Sequence, residues 1–388
     1  MNVYVRDLSQ ELGRQKIQLD VFTRSQDDHV PHVLHDLGFG NRVVHIPAGP
    51  EHPLPKEELA HHIPAFIDNI LDFAQARDLT YDLIHSHYWM SGIAAERLQA
   101  VWGAPVIQMY HTLGKLKQQV AQTAEEREGE YRIQGELRTM EMADRIVVAT
   151  PVEVEQLRDL YGIDTGKVVV IPPGVDLSRF YPILPEEAKD FVGIDPQEQL
   201  LLFVGRIEPL KGIDTLLHAL SRCVKSERLS EEHLFLSIIG GAEDDGRAGE
   251  HNEMDYLLDL RKEYDLENLV TFLGQKDQDT LPYYYSAADV VVMPSHYESF
   301  GMVALESMAC GTPVIASRVG GLAHLVQDEI TGYQFPAEDE VALCDSLLTL
   351  LTDHELRAEM GRNALFYAQQ YSWKRIAERV IDLYQELR

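Results

Sequence analysis

The chain has 388 residues, with 34 Lys and Arg against 63 Asp and Glu, a formal charge of −29, and 45% hydrophobic residues. That apolar share excludes a disordered chain, and the length suits about two domains of roughly 150–200 residues each. The charge argues against nucleic acid as a partner, because a polyanion needs a basic face, although it leaves room for a local basic pocket.

Val3, Val5, Leu8 and Leu12 lie near helical spacing over residues 2–13, with Gly13 as C-cap. Ile17–Phe22 alternates as a strand does, and strand-like runs follow at Arg42–Ile46, Leu83–His85, Pro105–Met109, Arg145–Ala149 and Lys167–Ile171. Helical stretches separate them at Glu57–Ala76, Ser91–Trp102 and Pro151–Tyr161. The Pro- and acid-rich stretch Pro172–Pro196 is the candidate linker. The pattern then restarts with the continuous apolar run Leu200–Val204, as expected of a strand buried on both faces. Leu234–Ile239, Leu269–Leu273, Asp289–Met293 and Pro313–Ala316 repeat it, with helices at Ile213–Cys223, Met254–Tyr264, Leu281–Ala287 and Met302–Cys310. Val341–Arg388 reads as consecutive helices. Strand alternating with helix predicts two α/β, doubly wound parallel-sheet domains: 1–175, then 176–370, with 371–388 as a helix returning to the first. Ligands of such sheets bind beyond the strand C-termini, so two facing domains would hold theirs in the cleft between them.

No apolar run approaches the ~20 residues of a membrane span, and Met1–Asp7 has no signal-peptide core, so a cytoplasmic protein is expected. Cys223, Cys310 and Cys344 are far apart and form no C-x-x-C pair. This predicts no disulfide framework and no all-Cys zinc site, and it fits a reducing compartment.

Four motifs follow strands. Gly205-Arg206-Ile207-Glu208-Pro209-Leu210-Lys211-Gly212 puts two cations in one strand-to-helix loop. Arg206 and Lys211 suit phosphate oxygens beside a helix N-terminus; a solvated loop with Arg206 paired to Glu208 is the plainer alternative. Pro294–Glu306 contains Glu298, Ser299, Phe300, Gly301, Met302 and Glu306. Ser299 is a candidate cap, Glu298 belongs to the loop, and Glu306 lies about two turns into the helix. Either the two carboxylates meet a ligand, or Glu298 caps the helix and Glu306 is surface. Asp82–Gly92 and Met109–Lys117 carry His85, His87 and His111 at strand ends, with His85 and His87 expected on opposite faces. No third ligand has metal-site spacing, and Asp277-Gln278-Asp279 is formally a D-x-D pattern of the kind chance supplies in so acidic a chain, so no metal is expected.

Taken together, Gly205-Arg206 with Lys211-Gly212, Pro172–Asp176, Glu298–Gly301 with Glu306, Ala309–Val314 and Val319-Gly320-Gly321 resemble the retaining glycosyltransferases of the GT4 family, which have the GT-B fold. The nearest subgroup is the inositol-phosphate N-acetylglucosaminyltransferases of mycothiol synthesis, beside sucrose-phosphate synthase-like enzymes. The resemblance implies a hexosyltransferase using a nucleotide sugar, UDP-linked, and a small anionic acceptor. It implies no metal or other cofactor, and a homodimer is the assembly to test. Arg206 and Lys211 would hold the donor diphosphate, Glu306 the ribose, and Glu298 with the Gly205 and Ser299–Met302 backbone the rest of the donor. His111 would lie near the reacting centre. Lys56, Tyr88, Thr112 and Arg132 would grip an acceptor phosphate. Relatives begin with a strand and a Gly-Gly loop ahead of Met1, so a misplaced start or a truncation is expected. The other readings are a sugar-nucleotide epimerase or phosphorylase of the same fold, and a non-catalytic sugar-nucleotide-binding protein.

Overall fold

The computed structural model describes residues 2–120, 129–226, 233–241 and 253–388. The chain forms two compact units, Met1–Gly174 with Trp373–Arg388, and Val175–Ser372.

The first unit opens with α1 (Asn2–Arg14), β1 (Asp20–Arg24), β2 (Val33–Leu34) and β3 (Arg42–Ile46). The single helix expected over Glu57–Ala76 is broken into α2 (Lys56–Leu59), a 3-10 turn and α3 (Ile63–Gln75). Pro64 explains the break, since it starts a helix well and cannot continue one. There follow β4 (Ile84–His87), α4 (Trp89–Trp102), β5 (Val106–Met109), α5 (Gly114–Val120), α6 (Glu130–Met142), β6 (Arg145–Val148), α7 (Pro151–Tyr161) and β7 (Val168–Val170). The strands lie in two sheets, β1-β3-β2 and the all-parallel β4-β5-β6-β7. One apolar cluster draws from both: Val44 and Ile46 pack with Ile67, Ile70, Ala94 and Leu98, and Phe22 and Ile84 lie against them.

The second unit runs α8 (Pro185–Val192), β8 (Gln199–Val204), α9 (Ile213–Lys225), β9 (Leu234–Ile239), α10 (Glu253–Glu263), β10 (Val270–Gly274), α11 (Leu281–Ala287), β11 (Val290–Met293), α12 (Met302–Ala309), β12 (Val314–Ser317), α13 (Leu322–Leu325), β13 (Gly332–Phe335), α14 (Glu340–Thr352) and α15 (His354–Ala368). Its six strands are all parallel in the order β10-β9-β8-β11-β12-β13. The order reverses direction between β8 and β11, which opens a crevice beyond their C-termini. Val204 and Met293 end those two strands, so both glycine- and charge-bearing motifs fall at the crevice.

The stretch expected to be a linker is not one throughout. It contains α8, whose Phe191 stacks on Tyr283 of α11 with ring centroids 4.1 Å apart. Its Lys189 is buried and reaches the Glu198 carbonyl at 2.5 Å. The short strand β13 was missed because Gly332–Phe335 shows no alternation.

The last helix, α16 (Trp373–Glu386), packs in the first unit: Trp373, Ile376, Ala377, Val380 and Leu383 bury against Tyr4, Leu8 and Leu12 of α1. The cysteine expectation is corrected. Cys223 of α9 and Cys344 of α14 form a disulfide, with Cα atoms 5.7 Å apart across 121 positions. Both helices bury their apolar faces in one core, so separation along the chain is no guide to distance in space.

Candidate active site

In the second unit the loops after β8 and β11 are laced together. The His296 amide donates to the Leu210 carbonyl at 2.9 Å. Gly212 adopts φ +61° as the residue before α9, and a Cβ there would fall 2.2 Å from the Pro294 carbonyl oxygen. A side chain is excluded for both reasons, and the loops approach closely because of it. Lys211 Nζ donates to Glu298 Oε2 at 2.7 Å, with both side chains largely buried. Arg206 is half-exposed and pairs with Glu208 at 2.9 Å, as the plainer alternative foresaw. The Val319–Gly321 segment presses against the same place: the Gly321 amide donates to the Glu298 carbonyl at 2.9 Å.

Two details differ from expectation. Ser299 does not cap α12; the N-cap is Gly301 at φ +103°, without a side-chain cap bond. Because α12 starts only at Met302, Glu306 lies little more than one turn into it, not two. Glu306 is buried, not surface, and accepts a hydrogen bond from the Tyr285 hydroxyl at 2.8 Å. Phe300, in the loop before α12, is buried too, its ring tilted against Tyr371.

In the first unit the ends of β4 and β5 form a second cluster. His85 and His87 stack with ring centroids 4.5 Å apart, which corrects the expectation of opposite faces. Residues two apart on a strand share a face. His87 Nδ1 and His111 Nε2 are 3.1 Å apart, one donating and the other accepting. Burial lowers His85 to about 4 and His111 to about 3, and pushes His87 well down, so all three rings are neutral near pH 7. Tyr88 (φ +74°) and His111 (φ +62°) both hold left-handed backbone, a strained state for non-glycine residues that clusters at functional sites.

Tyr88, Thr112 and Arg132 come together. Arg132 Nη2 donates to the Thr112 carbonyl at 2.9 Å and to its hydroxyl at 3.0 Å. The guanidinium carbon lies 5.1 Å from the Tyr88 ring centroid. Lys56 opens α2 on the exposed surface and takes no part in those contacts. Two participants were missed from the sequence. Glu136 pairs with Arg132 at 2.8 Å, and their i,i+4 spacing was a usable signal. Tyr285 gave none, being one tyrosine of three in a row.

Residues 1–179 match the model of Glycosyltransferase Family 4, and residues 185–365 match that of Glycosyl transferases group 1. The chain is 38% identical to the D-inositol 3-phosphate glycosyltransferase 2 of Catenulispora acidiphila, over 99% of this chain and 89% of that protein. It is also 38% identical to the D-inositol 3-phosphate glycosyltransferase of Saccharomonospora viridis, over 100% of this chain and 89% of that one. The chain belongs to the family-4 glycosyltransferases.

Among solved structures, this glycosyltransferase is similar to a sucrose-phosphate synthase from Thermosynechococcus elongatus. The TM-score is 0.88 and the identity 35%, over 100% of this chain and 93% of that one. Anabaena HepE, solved with UDP and glucose, shares the fold at a TM-score of 0.77 and 18% identity, over 99% of this chain and 95% of that one. The enzyme therefore has the two-domain α/β architecture of the GT-B fold. Among the described residues no helix is long and apolar enough to cross a membrane. Of the D-x-D pattern, Asp279 is largely exposed and pairs with Arg179 at 3.1 Å.

Proposed function

We propose that this glycosyltransferase moves a hexosyl group from a UDP-sugar to a hydroxyl of a small phosphorylated acceptor, with retention of configuration. The observation that carries the donor half is the meeting of Lys211 with Glu298 at the sheet's switch point, 2.7 Å apart. Lys211 gives one of its three donors to Glu298 and turns the others to diphosphate oxygens. Arg206 swings from Glu208 to the same group. The charge that develops on the departing UDP is met by both cations, of which Lys211 is held in advance by Glu298, and preorganised electrostatics of this kind is commonly the largest catalytic contribution. The free oxygen of Glu298 and the amides around Gly301 hold the sugar, and Glu306 accepts from the ribose hydroxyls. Neutral His111 acts beside the reacting carbon as a hydrogen-bonding group, not a cation. The reading calls for no metal, because two side-chain cations supply the charge.

The acceptor half is supported by the Arg132–Thr112–Tyr88 cluster and by relatives named for an inositol phosphate and a sucrose phosphate; Lys56, outside those contacts, is assigned to it on the resemblance alone. Assembly as a homodimer belongs to the same proposal, and light scattering on the purified chain distinguishes one copy from two. The test of function is a panel of UDP-sugars assayed against inositol 3-phosphate and hexose phosphates. Transfer with release of UDP is expected. Epimerised or merely hydrolysed donor in place of a transfer product sinks the reading.

A further inference from the structure

Glu136 lies one helical turn after Arg132 on α6, with no exposed surface. Its carboxylate gathers donors from three elements. Arg132 Nε donates to Oε1 at 2.8 Å. The amide of Gly114, first residue of α5, donates to both oxygens at 3.0 and 3.1 Å. The hydroxyl of Tyr161, last residue of α7, donates to Oε2 at short range and itself accepts from the Lys115 amide at 2.9 Å.

A buried ion pair is a poor device for stability, because desolvating two charges offsets most of their attraction. It is a good device for direction. A guanidinium is planar, so pinning its Nε edge fixes where its Nη edge points. Here the Nη edge meets Thr112, at both its carbonyl and its hydroxyl. A hydroxyl that accepts from arginine keeps its own hydrogen to donate.

We propose that Glu136 is a positioning residue that sets the Arg132 guanidinium plane, and through it the Thr112 hydroxyl, so that an acceptor phosphate meets prearranged donors. This rests on the reading of Arg132, Thr112 and Tyr88 as the acceptor-anion site. Preorganisation of this sort raises affinity by removing the ordering cost from the binding step.

The experiment is calorimetry on the full chain, with D-inositol 3-phosphate and inorganic phosphate as probes in saturating UDP, and with UDP alone as the internal control. Arg132→Ala comes first: unchanged phosphate affinity, or no phosphate binding by the unaltered enzyme, sinks the acceptor-site reading and this inference with it. Given a loss there, Glu136→Gln is expected to weaken phosphate binding by at least about tenfold while UDP affinity stays within about twofold. Tyr161→Phe keeps the carboxylate and its pairing with Arg132, and should weaken phosphate binding by about two- to fivefold. Unchanged phosphate affinity in folded Glu136→Gln overturns the positioning role and leaves the acceptor reading standing. So does equal loss of phosphate and UDP affinity, the mark of general disruption. If Glu136→Gln does not fold, Tyr161→Phe decides on its own, and an unchanged affinity there overturns the role.

Discussion

Lys211 and Glu298 are 87 positions apart in the chain and 2.7 Å apart in space. Each closes a different loop, after β8 and after β11, and their contact joins the two sides of the second unit's crevice. Glu298 holds the ammonium in place without exhausting its donors.

Replacing Lys211 by Ala removes a cation from the developing diphosphate and leaves the largely buried Glu298 without its Lys211 partner. By analogy with the loss of one transition-state donor, kcat/KM for the UDP-sugar should fall by about 10²–10³, or roughly 2.7–4 kcal/mol. Steady-state kinetics measures it, and wild-type turnover in the variant would refute the assignment of Lys211.

The Tyr285 hydroxyl donates to the buried Glu306 carboxylate and helps to orient it. In Tyr285→Phe, Glu306 keeps its charge and loses this anchor. The Kd for UDP should rise by about three- to tenfold, as one hydrogen bond is worth. The penalty for deleting a ribose hydroxyl from the nucleotide should shrink as well. Calorimetry with UDP and its deoxyribose analogue reads both, and an unchanged penalty shows that Glu306 does not meet the ribose.

The buried histidines carry a pH signature. His85 at about 4 and His111 at about 3 lie below the value of about 6.5 expected when unfolded. Between those limits the unfolded chain binds more protons than the folded one. Stability from these groups is therefore full above about pH 6.5 and declines as pH falls, by up to about 1.4 kcal/mol per pH unit for each histidine. Urea melts at about pH 7.5 and about pH 5 measure the slope. His85→Gln should flatten it; the same slope in that variant would mean His85 already titrates near its ordinary value.

Because Arg206 and Lys211 are assigned to the leaving group, transfer should be unchanged in excess EDTA. A loss of activity restored by a divalent cation would contradict the metal-free reading.

Much of the fold was legible from periodicity. Pro151–Tyr161, Leu234–Ile239 and Leu281–Ala287 coincide with their expected spans, because their apolar spacing is strong and Pro or Gly bounds them. The donor loop was legible because its glycines and cations sit in a fixed order after strands. What failed did so for identifiable reasons. Ser299 looked like a cap on residue type, but the backbone gives that place to Gly301. The distance between Cys223 and Cys344 is set by how α9 and α14 pack, which no local pattern encodes.

The amino-acid sequence by itself determined the α/β alternation, the strand-end position of each motif and, through its motif order, the glycosyltransferase family. Those properties depend on neighbours along the chain. Only the tertiary structure decided which polar groups meet: Lys211 with Glu298, Arg132 with Glu136 and Thr112, and Tyr285 with Glu306. A hydrogen bond depends on ångströms between side chains, and where segments distant in sequence bring those side chains together is fixed by packing of the core.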